Sequence, residues 1–157
     1  MVETTTEIKI FYSWQSDLPD ATNRGALRKA LRVAATKIEE AIEGICVTID
    51  EAVRDRPGSP NIPATILEKI EASDVVVADV SIINRKEIST IETPGPLRSC
   101  PNPNVVFELG YAAAQLGWNR IILIFNESFG LLGELPFDFD RHRISPYKLS
   151  QARAYSG

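Results

Sequence analysis

Residues 74–80 read Asp-Val-Val-Val-Ala-Asp-Val, an almost continuous β-branched apolar run. It is too short for a helix and too uniformly apolar for a strand with one face in water. Runs of this kind suit interior strands of parallel sheets, buried on both faces. Parallel strands need long crossover connections, usually helical. The rest of the chain is therefore expected to alternate strands with helices.

The apolar periodicity meets that demand. Residues 7–12 alternate, with Ile8, Ile10 and Tyr12 on one face, and predict a first strand. Residues 21–43 place Leu27, Leu31, Ala34, Ile38 and Ile42 at helical spacing, and Gly44 follows as a stop. A second strand is expected at 45–50 and a helix over about 61–72. Asn102 as N-cap and Pro103 at the first helical position open a helix that runs to Gly117, with Val105, Leu109, Ala112 and Leu116 as its buried stripe. Residues 120–125 form a further apolar strand, and a last short one is expected around His142–Tyr147. Successive βαβ units give an α/β fold, a doubly wound parallel sheet of about five strands. One domain is expected over 1–157, with its core in 7–147. Residues 81–102 form a loop of a length that compact domains usually reserve for function.

The chain has 157 residues, a size that buries a single core unaided. With 17 Lys+Arg against 21 Asp+Glu the net charge is −4, which argues against direct binding of nucleic acid through phosphate contacts. No apolar stretch reaches membrane-spanning length, and the first residues lack the basic and apolar regions of a secretory signal. Cys46 and Cys100 make no framework, so a reducing, cytoplasmic setting is expected. Those cysteines and His142 lack zinc-ligand spacing, and no metal site is expected. Neither G-x-G-x-x-G after the first strand nor G-x-x-x-x-G-K-[ST] occurs, which excludes the common dinucleotide and P-loop sites. No serine sits in a G-x-S-x-G elbow that His142 could serve.

Ligands of open α/β sheets sit beyond the carboxyl ends of the strands, where strand order reverses. If the third strand lies beside the first, three segments meet there: Tyr12-Ser-Trp-Gln-Ser-Asp17, Asp79-Val-Ser81, and Asn102-Pro-Asn-Val-Val-Phe-Glu108. Glu108 shares a helix face with Asn104, Tyr111 and Gln115, beside the apolar stripe. The residues alone leave two roles open for it, complement to the helix dipole, worth ~0.3–1 kcal/mol, or a site carboxylate. Asp17 and Asp20 fit N-capping of the next helix, Asp79 fits a strand-closing turn, and Tyr12 and Trp14 fit core caps equally well.

Three segments together resemble a known group. Phe11-Tyr-Ser-Trp-Gln-Ser-Asp17 resembles the first-strand box of TIR (Toll/interleukin-1 receptor) domains. Ala72-Ser-Asp-Val-Val-Val-Ala-Asp-Val-Ser81, followed by Asn102-Pro-Asn-Val-Val-Phe-Glu-Leu-Gly-Tyr-Ala112, resembles bacterial TIR-like proteins and the related nucleoside 2-deoxyribosyltransferases. The resemblance covers roughly residues 7–126 and implies a flavodoxin-like fold with cleavage of an N-glycosidic bond, most often that of NAD+ as substrate, with no cofactor. It implies Glu108 as the catalytic residue. Tyr12, Ser13 and Trp14 would line the nicotinamide or ribose side, with Asp17 and Asn104 nearby. Asp79 and Ser81 would contact hydroxyl or amide groups, and Arg56 and Ser59 phosphate. A first-turn position would favour an ionised Glu108.

The implied activity is an NAD+ glycohydrolase yielding nicotinamide and ADP-ribose or a cyclic product, an effector of bacterial antiviral defence controlled by self-association or by a partner TIR or sensor protein. The alternatives are a deoxyribosyltransferase-like enzyme using Glu108 as nucleophile, or a non-catalytic TIR assembly module.

Overall fold

The computed structural model describes residues 5–51, 62–85, 98–136, 139 and 141–154. Strands β1 (Thr6–Ser13), β2 (Ile45–Glu51), β3 (Val75–Asp79), β4 (Ile121–Asn126) and β5 (Ile144–Tyr147) form one sheet in the order β2-β1-β3-β4-β5. Every pairing is parallel. The helices are α1 (Arg24–Ala41), α2 (Ile62–Glu71), α3 (Pro103–Leu116) and a short α4 (Gln151–Ala154). Strand order reverses between β1 and β3, which places the switch point where the sequence puts it.

Alternation along the strands divides the core into two sides. Phe11, Val76 and Ala112 pack with Ile70 of α2, and Ala78, Leu123 and Phe125 pack with Val105 and Leu109 of α3. On the opposite side Tyr12, Trp14 and Val77 pack with Leu27 of α1. Each Val, Leu, Ile or Phe among them, once buried, contributes about 1.5–3 kcal/mol.

The capping of α3 follows its sequence. Asn102 Oδ1 accepts the backbone N–H groups of Asn104 (2.8 Å) and Val105 (3.3 Å), and Pro103 takes the position that needs no donor. Gly117 ends the helix at φ 79°, a conformation costly for residues with a Cβ.

Two expectations for α1 need correction. Its N-cap is Asn23, and neither Asp17 nor Asp20 caps it with a side chain. Its buried residues are Leu27 and Ala35, whereas Ile38 and Ile42 are 39% and 49% exposed. α1 lies against the edge strand β2, beyond which no strand continues the sheet among the described residues. Periodicity records which residues share a face but not whether a sheet extends beneath them. Glu39 compensates in part by accepting the Val47 backbone N–H at 2.7 Å, which occupies a donor on the open edge.

The loop expected at 81–102 is described only at its stem. Ile83 donates to the Cys100 carbonyl (3.0 Å), and Asn84 bridges the Arg98 carbonyl and the Cys100 N–H.

Candidate active site

Ser13 ends β1 on the side of the sheet that faces α2 and α3, two residues beyond Phe11. Its hydroxyl donates to Glu108 Oε2 at 2.5 Å. Both residues are buried, Glu108 being 4% exposed. That distance falls in the range of O–H···O⁻ bonds to a carboxylate, about 2.5–2.7 Å. Glu108 is the sixth residue of α3, and the first turn holds no acidic residue. The dipole's influence fades beyond the first turn, so the first-turn argument for its charge does not apply. The serine hydroxyl is one contact that holds this carboxylate.

Asp17, four residues past Ser13, does not turn back to α1. Its Oδ2 accepts a 2.6 Å hydrogen bond from Asn102 Nδ2, at the start of α3. Asn104 is exposed on the first turn of the same helix. Arg56 and Ser59 lie outside the described residues.

The remaining candidates stand on the α1 side. Tyr12 is fully buried, its hydroxyl donating to the Arg24 carbonyl at 3.4 Å, and burial pushes its phenol well above the ordinary range, with Asp79 adding to the shift. Trp14 is 5% exposed and carries the Arg24 guanidinium 3.4 Å above its ring centroid. Neighbours on a strand point to opposite faces, so Tyr12 and Ser13 cannot line the same pocket wall.

Asp79 and Ser81 are the centre of a buried polar network. Asp79 Oδ2 accepts from Gln15 Nε2 and Asn23 Nδ2, both at 3.0 Å, while Oδ1 accepts from the Ser81 hydroxyl (2.6 Å) and backbone N–H (3.1 Å). Ser81 Oγ in turn accepts from Asn23 Nδ2 and the Asn126 backbone. The Asn126 amide reaches the Thr22 and Leu149 carbonyls, and the Tyr147 hydroxyl also donates to Thr22. A buried polar group left unpaired costs about 1–3 kcal/mol, so this mutual pairing fastens the ends of β1, β3 and β4 to the start of α1. Gln15, Asn23 and Asn126 are absent from the sequence-predicted set. The one signal for Asn126 is a polar residue closing an apolar strand.

A cleft of about 530 Å³ opens beside Asp17, lined also by Leu18, Ile82, Arg85 and Phe129. A second cleft of about 540 Å³ lies between α2 and strands β1 and β2, walled by Glu7, Lys9, Asp50 and Lys69. Neither cleft is lined by Ser13 or Glu108, and the charged groups of the second neutralise each other through Lys69–Asp50 and Lys9–Glu7. The first cleft is the one next to the switch point. His142 stands apart, stacked on Trp118 at 3.6 Å. Among the described residues no group of His, Cys, Asp and Glu could hold a metal ion, and no helix is long and apolar enough to cross a membrane.

No curated protein matches the chain. Residues 29–136 match the family model described as CAP12/Pycsar effector protein, TIR domain. The match runs from Lys29, inside α1, to the segment after β4 and includes Glu108, while Ser13 precedes it. More than half of the chain is covered, the sheet has the order and parallel sense of a TIR fold, and the chain belongs to the CAP12/Pycsar effector TIR-domain family.

Proposed function

We propose that this TIR domain hydrolyses the nicotinamide–ribose bond of NAD+, releasing nicotinamide and ADP-ribose or a cyclic relative, as an antiviral effector acting in the cytoplasm. The observation that carries this reading is the buried Glu108 carboxylate held by Ser13 at the strand-order switch point. Cleavage of this bond develops oxocarbenium charge on the ribose. Nicotinamide departs as a neutral molecule, so no general acid is required. A fixed carboxylate beside C1′ lowers the barrier by opposing the developing positive charge.

In this reading Glu108 is the catalytic residue and Ser13 orients it. Asp17 and Asn104 border the substrate, and Arg56 and Ser59 remain candidates for its phosphates. Tyr12, Trp14, Asp79 and Ser81 support the wall from the α1 side. Self-association or a partner TIR or sensor protein controls the activity.

Incubation of the protein with NAD+, and separately with deoxynucleosides, tests the reading by chromatography of the products. Loss of NAD+ with matching release of nicotinamide supports it. Base exchange between deoxynucleosides without NAD+ loss assigns the site to a transferase with Glu108 as nucleophile. Inertness towards both at high protein concentration leaves an assembly module.

A further inference from the structure

The elements that carry Ser13 and Glu108 are joined a second time. Asp17 follows Ser13 by four residues and Asn102 precedes Glu108 by six, and Asn102 Nδ2 donates to Asp17 Oδ2 at 2.6 Å. Asn102 is 7% exposed and does two things at once. Its carbonyl oxygen caps α3, and its amide nitrogen holds the carboxylate. The orientation of this amide follows from its partners, two backbone N–H groups on one side and a carboxylate on the other. Aspartate would cap the helix as well but has no hydrogen to donate to Asp17. The loop presenting Asp17 is itself fastened, because Gln15 Nε2 donates to Asp79 and Gln15 Oε1 accepts the Leu18 N–H.

We propose that Asp17 and Asn102 form a brace that sets the position of α3 along β1, and thereby the position of the Glu108 carboxylate against Ser13 and the reacting carbon. Both are positioning residues for the reaction, an inference that rests on the NAD+ reading above. Their distinctive property is that donor and acceptor are exchangeable. Asn102→Asp keeps the helix cap but sets two carboxylates face to face. Like charges at that distance cannot both ionise freely. On acidification one takes up a proton and donates it to the other, which restores the bond. The double variant Asp17→Asn/Asn102→Asp exchanges the partners and restores the bond at neutral pH.

The experiment compares wild type, Asn102→Asp and the double variant in NAD+ cleavage across pH, together with the 13Cδ resonance of Glu108, assigned by its disappearance in Glu108→Gln. Displacing a catalytic group by about 1 Å costs up to about 100-fold in rate. The expected result is a kcat lowered roughly 10- to 100-fold in Asn102→Asp. Its activity relative to wild type rises as pH falls towards about 4, and the double variant recovers. The Glu108 resonance moves in the single variant and returns in the double.

A single variant with wild-type kcat, or a folded double variant as slow as the single, overturns the brace. If Asn102→Asp fails to fold, Asp17→Ala, which leaves the cap in place, must show the same loss of kcat, and full kcat there overturns the proposal. If wild type leaves NAD+ intact, the functional reading fails and the resonance alone decides, an unmoved signal in Asn102→Asp overturning the brace.

Discussion

Ser13 and Glu108 are 95 residues apart in the chain and joined by a 2.5 Å hydrogen bond in a buried environment. One ends β1 and the other sits in the second turn of α3. Their meeting depends on the β1–β3 adjacency, since α3 follows β3 and packs over both strands. Strand alternation aims Ser13 at α3 while sending Tyr12 and Trp14 to the α1 side.

Ser13→Ala removes the donor and leaves the carboxylate less firmly oriented. A hydrogen bond to a charged group is worth about 1.5–3 kcal/mol. The variant is expected to lose about 10-fold or more in kcat and to unfold at lower urea concentration. Steady-state kinetics and urea denaturation check both. Unchanged kcat would separate the serine from the carboxylate's work.

Asp79→Ala tests whether Asp79 holds the wall together. Gln15, Asn23 and Ser81 would each lose an acceptor in a buried place. At about 1–3 kcal/mol per stranded group, the expected loss is at least about 3 kcal/mol in urea denaturation. A variant within about 1 kcal/mol of wild type would show that the network relaxes around the gap.

How much of this was legible beforehand differs by element. The β-branched run at 74–80 and the Asn102-Pro103 start are local signals, and β3 and α3 appear at or near the expected residues. The candidate set after β1 was legible as a set of residues but not as one site. Period-2 alternation already separates Tyr12 from Ser13, and that geometry outranks their adjacency in the chain. The network around Asn23 and Asn126 left almost no trace. Asn and Gln at strand and helix ends look solvent-facing until the Tyr147–Leu149 segment closes over them.

Burial pushes the Tyr12 and Tyr147 phenols well above the usual range, with Asp79 adding to both shifts. In the unfolded chain they ionise near ~10. Below that pH both states keep the protons and the contribution is complete. Above it the unfolded state holds fewer protons than the native one, so stability falls as pH rises. Tyr147→Phe is expected to lose about 1 kcal/mol near neutrality, from its 2.8 Å bond to the Thr22 carbonyl, and to decline less steeply above pH ~10. Urea midpoints across pH measure both effects, and an alkaline slope equal to wild type would contradict the assignment.

The central claim is that the Glu108 carboxylate stabilises the transition state of NAD+ cleavage. Glu108→Gln keeps the size of the side chain and an oxygen that can accept from Ser13, and removes the charge. The direct measurement is the single-turnover rate of nicotinamide release by this variant and by wild type, at equal concentration and with folding verified by circular dichroism. A loss of at least ~100-fold is predicted, the order found when one electrostatic stabiliser is removed. A folded variant that releases nicotinamide at nearly the wild-type rate would contradict the account.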